Sequence, residues 1–197
     1  MKEIYKKLWN LAKPYYEKGR PMDINHIEWM TGDAFAVCKI ENLDESILLP
    51  LVILHDVGYS EIPPSNPFNL DMRKEHMKKG AEIARYILEE LGYDAEKTEK
   101  ISHLISIHDN WALGDDQSYK DNIVLGTFND LDFMWMATPK GFPALLKIRN
   151  VSSKEMMHYL ETNDKLTKRP FFTKTTKEIF ERYLEDRRAE VSLSNQN

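Results

Sequence analysis

Apolar residues along the chain recur mostly every three or four positions, the spacing of helices that bury one face. Few segments alternate apolar and polar residues at every second position, so nothing in the pattern indicates a sheet. Helices are predicted at residues 2–18, 23–39, 47–56, 71–91, 95–108 and 123–136, with two more within 142–188. The pattern therefore predicts an all-α fold, a compact helical bundle.

Polar residues at the predicted helix starts have the chemistry of N-caps. Asp23 and Asp44 are predicted to cap the helices that follow them. Ser/Thr-x-x-Glu capping boxes are predicted at Ser152 with Glu155 and at Thr175 with Glu178.

The chain contains no internal repeat and no composition shift that marks a linker, and its 197 residues suit one core. A single domain is predicted over 1–197, with the candidate chemistry at about 20–136, C-terminal helices at 142–188 and a frayed tail at 189–197. Three prolines predict a loop at 59–70.

The formal charge of −5 leaves no broad basic excess for coating an extended nucleic acid, although a small phosphorylated ligand needs only a local cluster of cations. Cys38 is the single cysteine, which fits a reducing compartment. Residues 1–16 lack the apolar core of a signal peptide, and the longest apolar run, 47–54, is too short to span a bilayer. We expect a cytoplasmic protein with no membrane partner; the oligomeric state stays open.

Two of the six histidines lie on predicted buried faces. His76 shares a helical stripe with Gly80, Ile83 and Ile87, and His108 continues the stripe of Ile101, Leu104 and Ile105. His103 points about 160° away from that second stripe, so we expect it to face solvent.

His55 and Asp56 end the most apolar segment of the chain, where a buried carboxylate is costly unless something pairs with it. A metal ion and a neighbouring Arg or Lys are both suitable partners, and spacing alone does not decide between them. Asp130 and Asp132 interrupt another apolar helix. Asp130 is the harder of the two to explain as a surface residue, so it is expected to have a specific partner.

Candidate metal ligands occur in order along the chain, and together they are more informative than any one of them. They are His26, His55, Asp56, His76, His108 and Asp130. Imidazole and carboxylate ligands without thiolate suit Fe, Mn, Co, Ni or Zn, and the sequence does not choose among them. Four imidazoles and two carboxylates exceed one tetrahedral site, which indicates two divalent metal ions bridged by Asp56.

The series resembles the H…HD…D signature of the HD-domain superfamily of metal-dependent phosphohydrolases. The segments that carry the resemblance are LVILHDVG, HMKKGAEIA, ISHLISIHD and FNDLDFM. The resemblance implies that the first metal is bound by His26, His55, Asp56 and Asp130. It implies that His76 and His108, with the bridging Asp56, hold a second.

Two positions depart from the family pattern. Many hydrolytic members carry a lysine after the HD-aliphatic-Gly motif, where this chain has Tyr59, and two-metal members often have a second histidine where this chain has Asp109. The Gly-Tyr-Pro signature of cyclic-dinucleotide phosphodiesterases is absent.

The resemblance implies hydrolysis of a phosphate ester, with a nucleotide or another small phosphorylated metabolite as substrate. Asp56 and Asp109 are the candidate catalytic residues, the latter as a proton relay. Arg73 and Lys79, each three residues from His76, are the candidate phosphate contacts, and a solvated basic patch is the alternative explanation for them. Two alternatives stay open: a di-iron oxygenase with an overlapping ligand set, and a non-catalytic nucleotide-binding module.

Overall fold

The helical periodicity of the sequence is realised in the structure. A computed structural model describes residues 2–63 and 69–194, and within those ranges the regular structure is helical and contains no strand. The prediction of an all-α bundle is confirmed.

The helices follow one another with short connections. In chain order they are α1 (Glu3–Gly19), α2 (Asp23–Glu41), α3 (Glu45–Leu54), α4 (Leu70–Glu90), α5 (Ala95–Ile107), α6 (Gln117–Lys120), α7 (Ile123–Met134), α8 (Gly141–Arg149), α9 (Ser153–Thr162), α10 (Lys165–Lys168) and α11 (Lys174–Ser194). Three single turns of 3-10 helix lie at Val57–Glu61, Asn110–Leu113 and Trp135–Ala137.

Two of the predicted caps are confirmed. The Asp44 carboxylate accepts a hydrogen bond from the backbone N–H of Ser46 at 2.9 Å. Ser152 and Glu155 form a reciprocal capping box at the start of α9.

The other two cap predictions are wrong. Asp23 lies inside the first turn of α2, and its carboxylate pairs with Arg20 instead. The hydroxyl of Thr173, not of Thr175, accepts the N–H of Thr176 at the start of α11.

Element boundaries differ from prediction mainly where short turns occur. The predicted loop 59–70 begins inside the turn Val57–Glu61, and its residues 64–68 lie outside the described part of the chain. The predicted tail is wrong in that α11 continues to Ser194. The Arg187 side chain, close to the end of this helix, is buried and forms an ion pair with Glu190 one turn further on, at 2.8 Å.

Helix α3 is the centre of the bundle. Every side chain from Ile47 to Leu54 is buried, because this helix is apolar on all sides and α1, α2, α5 and α7 pack around it. Helix α4 packs along α5 and across the turn Val57–Glu61. The residues that follow α3 therefore enter the middle of the molecule. Within the described chain, no helix combines the length and apolarity needed to cross a membrane.

Candidate metal centre

The turn after α3 is pressed against α4. A Cβ atom on Gly58 would lie 2.0 Å from the carbonyl oxygen of His76 and 2.5 Å from the backbone nitrogen of Gly80. Only glycine allows this approach. The close crossing brings the adjacent His55 and Asp56 to the face of α4 that carries His76.

A first cluster of ligand atoms joins α2, the end of α3 and α7. It contains His26, His55 and Asp132, whose ligand atoms all lie within 4.8 Å of one another. Nε2 of His26 lies 3.2 Å from Oδ1 of Asp132. The imidazole of His26 also stacks on the indole of Trp135, with ring centroids 5.2 Å apart, and this contact orients it.

Asp130 does not belong to this cluster, so its prediction as a metal ligand is corrected to Asp132. The Asp130 carboxylate accepts a hydrogen bond from Nζ of Lys165 at 2.5 Å, from the Thr176 hydroxyl at 2.7 Å and from the Phe172 N–H at 2.8 Å. These three hydrogen bonds satisfy a fully buried carboxylate without a metal. Asp130 therefore fastens the C-terminal segment to α7.

A second cluster joins the HD turn to α4 and the end of α5, and it contains Asp56, His76 and His108. The Nε2 atoms of His76 and His108 lie 3.2 Å apart. Oδ1 of Asp56 lies 3.4 Å from the first and 3.5 Å from the second. The three potential ligand atoms thus lie close enough together to bind one metal ion.

Asp56 faces both clusters. While its Oδ1 atom faces His76 and His108, its Oδ2 atom lies 3.5 Å from Nε2 of His55 in the first cluster. A carboxylate in this position can bind one cation through each oxygen atom.

Hydrogen bonds to backbone carbonyls orient two of the histidines with Nε2 towards the centre. Nδ1 of His55 lies 2.9 Å from the carbonyl oxygen of Val52, and Nδ1 of His108 lies 2.7 Å from that of Ile105. A carbonyl only accepts, so Nδ1 carries a proton in both rings, and Nε2 is the atom that each ring turns to the centre and that would bind a metal once unprotonated. Nε2 of His55 is buried and has no hydrogen-bond partner among the described residues. This donor set fits divalent transition-metal ions.

Burial and charge set the protonation of the centre. Burial lowers the pKa of His55 to about 4, which keeps this ring neutral at physiological pH. Burial opposes the charge of His108 as well, but the hydrogen bond to Asp56 and the charge of Asp109 raise its pKa to about 9. For Asp56, the cost of burial is outweighed by His55 and by hydrogen bonds from His108 and His76, which hold the pKa well below its usual range. The low pKa keeps Asp56 anionic, which is the form of a carboxylate that binds metal ions.

Asp109 and Arg73 lie together at the edge of the second cluster. Nη1 of Arg73 donates to Oδ2 of Asp109 at 2.5 Å, and Nε1 of Trp111 donates to Oδ1 at 3.0 Å. Oδ2 of Asp109 is 3.8 Å from Nε2 of His76. Both predicted residues therefore reach the centre, paired with each other.

Lys79 is directed elsewhere. Its ammonium group is exposed and pairs with Glu82 on the same helix at 3.1 Å. Its prediction as a phosphate contact is corrected, because Lys79 lies on the outer edge of the stripe and its pairing with Glu82 keeps the ammonium group at the surface. The sequence prediction that His103 faces solvent is confirmed.

Three residues lie next to the centre although the sequence did not predict them to be part of it. Arg20 and Asp23 form an ion pair at 2.9 Å beside Asp56, and Tyr59 stacks on His76 with ring centroids 4.1 Å apart and planes 9° apart. Asp23 precedes His26 by three residues, so a helical-face argument could have found it. Arg20 lies in a helix break, where no periodic signal indicates its direction.

The comparisons with known proteins agree with this geometry. A family model described as HD domain matches residues 23–139, more than half of the chain. No curated protein and no solved structure matches the chain significantly. The matched segment contains both ligand clusters, from α2 to the turn after α7.

Proposed function

This chain belongs to the HD-domain family, and we propose that it is a two-metal hydrolase of phosphate esters acting on a nucleotide or another small phosphorylated metabolite. Metal-dependent phosphohydrolase activity is the general property of the family. The two-metal centre, the substrate class and the residue roles below are our proposal.

The observation that carries the proposal is the position of Asp56. Its two oxygen atoms face separate groups of imidazoles, with Oδ2 3.5 Å from His55 and Oδ1 3.4 Å from His76. A carboxylate that paired only with a lysine or arginine would need no second group of ligand atoms. Two divalent metal ions, one in each cluster, would satisfy both oxygens and the imidazole nitrogens around them. Fe, Mn, Co, Ni and Zn all suit these ligands.

Metal ions held in the two clusters would supply Lewis acidity, which activates water as a nucleophile and offsets the charge of phosphoryl oxygens. Asp56 bridges the clusters and fixes their separation. Asp109 would accept the proton that the attacking water loses and pass it to the leaving oxygen as the P–O ester bond breaks, because its carboxylate faces the second cluster next to His76. The bonds from Arg73 and Trp111 hold that carboxylate in place.

Arg73 is the proposed phosphate contact on the side of the second cluster. Its guanidinium lies over the Trp111 ring, 5.2 Å from the centroid, and its side chain is 16% exposed. The planar group has donors beyond the one used by Asp109, so it can bind a phosphoryl oxygen at the same time. A local cation of this kind suits a small ligand, since the formal charge of the whole chain is −5.

The first experiment is elemental analysis of protein purified without chelator, for the wild type, Asp56→Ala and His103→Ala. We expect about two transition-metal ions per chain in the wild type and in His103→Ala, and a loss of both in Asp56→Ala. His103→Ala is the matched control because it removes an exposed imidazole from the same helix that precedes His108.

The metal-loaded protein is then assayed for phosphate release from nucleoside phosphates and other small esters. Turnover by the wild type that is lost in Asp56→Ala supports the proposal. About one metal per chain would leave a one-metal phosphohydrolase, and no metal after reconstitution would refute the centre. Oxygen uptake by the iron-loaded protein without phosphate release would favour the di-iron oxygenase. Tight nucleotide binding without turnover under several metals would favour the binding module.

A further inference from the structure

Arg20 lies beside Asp56 on the side away from the second cluster. Its Nη1 atom is 4.0 Å from Oδ2 of Asp56, the oxygen atom that also faces His55. The residue comes from the end of α1, so it approaches the centre from a different element than any candidate ligand.

Two contacts hold the Arg20 guanidinium in one orientation. Nε pairs with Oδ2 of Asp23 at 2.9 Å, and the group lies over the ring of Tyr59, 4.4 Å from its centroid. Tyr59 stacks in turn on His76. Arg20 is thus positioned relative to both clusters, through Asp56 on one side and through Tyr59 on the other.

The guanidinium retains donors for a ligand. Arginine carries five N–H groups in a planar fork; Nε faces Asp23 and Tyr59 takes a further hydrogen bond, which leaves other N–H groups for a ligand. The 4.0 Å distance to Asp56 is too long for a hydrogen bond. The side chain is 30% exposed, although Asp23 and Asp56 beside it are only 8% and 12% exposed. The free edge of the guanidinium therefore opens towards solvent next to the centre.

The other cations near the centre are already paired with carboxylates. Lys79 is engaged with Glu82, and Lys165 is engaged with Asp130. Arg73 stands at the second cluster, paired with Asp109. A phosphoryl group that contacted both clusters would thus meet Arg73 on one side, and Arg20 is the cation at Asp56 on the other.

We propose that Arg20 forms an oxyanion subsite at the Oδ2 side of Asp56, where its free N–H groups bind a phosphoryl oxygen of the substrate. Asp23 and Tyr59 position the guanidinium. The ligand class is a tetrahedral phosphate, free or as the phosphoryl group of an ester. The subsite rests on the proposed function for its role in catalysis, but its affinity for phosphate is measurable without turnover.

The test is calorimetric titration of inorganic phosphate into the metal-loaded full chain, for the wild type, Arg20→Gln, Arg20→Lys and Arg85→Gln. Arg85→Gln is the matched control, because Arg85 is an exposed arginine that pairs with Glu99. We expect Arg20→Gln to bind phosphate at least about tenfold more weakly, the effect of removing a hydrogen bond to a charged group. Arg20→Lys should recover part of the affinity, and Arg85→Gln should bind like the wild type. Metal content should be equal in all four proteins.

Three outcomes overturn the subsite. These are an unchanged phosphate affinity in Arg20→Gln, an equal loss in Arg85→Gln, and loss of metal in Arg20→Gln, which would make Arg20 a support of the metal centre. Other outcomes distinguish failure of the hydrolase proposal from failure of the subsite. Arg20-dependent phosphate binding without ester turnover would retain the subsite and remove the hydrolase. Ester turnover with an unchanged KM in Arg20→Gln would retain the hydrolase and remove the subsite.

Discussion

Asp130 and Asp132 lie two residues apart on α7 and face different parts of the molecule. The carboxylate of Asp132 is 3.2 Å from Nε2 of His26, whereas that of Asp130 is 2.5 Å from Nζ of Lys165. Two residues turn a helix by about 200°, so adjacent carboxylates of this spacing point in nearly opposite directions. One helix thus contributes to the metal centre with one face and anchors the C-terminal segment with the other.

We predict that Asp132→Ala lowers the metal content, whereas Asp130→Asn lowers the stability and leaves the metal content unchanged. Asp132→Ala should lose the metal of the first cluster, because only His26 and His55 would remain there with Asp56. Asp130→Asn should retain metal but be destabilised by about 3–5 kcal/mol, because Lys165 would be left buried without its counter-charge.

Elemental analysis and urea unfolding of each variant measure these two effects. Loss of metal in Asp130→Asn at unchanged stability would reverse the assignment and restore Asp130 as the ligand.

His76 and His108 are predicted to hold one metal ion only. His76→Gln and His108→Gln should each retain about one metal per chain, since the first cluster is complete without them. Asp56→Ala should retain none, because Asp56 contacts both clusters. Elemental analysis of the three variants side by side checks this, and an equal metal content in all three would argue against a bridging role for Asp56.

Arg73 and Lys79 are both cations on α4, but only Arg73 should affect the substrate. Arg73→Gln should raise KM about tenfold or more, because it removes a charged contact and leaves Asp109 without its ion pair. Lys79→Gln should leave KM and kcat within about twofold of wild type, because Lys79 is exposed and pairs with Glu82. Steady-state kinetics on the best ester from the substrate screen separates the two. A similar rise of KM in both variants would indicate a diffuse basic patch.

Removal of metal is predicted to destabilise the fold. A ligand at one hundred times its Kd stabilises the native state by about 2.7 kcal/mol, which corresponds to about 5–10 °C in Tm for a chain of this size. The Tm of wild-type protein should fall by about that amount after treatment with a chelator and return when metal is restored. Asp56→Ala, which lacks the bridging carboxylate, should show no response to the chelator; an equal response would mean that the metal binds elsewhere.

Gly58 and Gly32 offer a matched pair of Gly→Ala substitutions. Gly58→Ala should destabilise the protein by about 1–3 kcal/mol and lower its metal affinity, because the new Cβ would collide with the α4 backbone at His76. Gly32→Ala should be neutral or stabilise α2 by up to about 1 kcal/mol, since a Cβ there meets nothing within 4 Å. Urea unfolding and metal titration measure both effects, and a tolerated Gly58→Ala would contradict the close crossing of the HD turn and α4.

Local chemistry and periodicity were sufficient to predict most of the helices and much of the centre. The wholly apolar segment before His55 predicts a buried central helix, and α3 is buried from Ile47 to Leu54. The stripes on α4 and α5 predict that His76 and His108 face inward, and both imidazoles are buried. These features depend only on residues of one helix, which is why the sequence by itself contains them.

Periodicity does not indicate where a carboxylate points when its helix is buried on nearly every side. Along α7, apolar residues surround both Asp130 and Asp132, so the pattern cannot tell which side meets His26 and which meets Lys165. The answer depends on α2 and α10, which are remote in sequence from α7. Likewise, the helix break at Gly19-Arg20-Pro21 shows only where α1 ends, not that Arg20 comes to lie 4.0 Å from Asp56.

The sequence by itself determined the helical fold, its apolar centre and five of the ligands that we propose for the metal ions: His26, His55, Asp56, His76 and His108. Only the tertiary structure decided that Asp132 completes the first cluster, that Lys79 points away, and that Arg20, Asp23 and Tyr59 surround the centre. The physical reason is that helix periodicity specifies which face of an element is buried, whereas packing between distant elements specifies what that face meets.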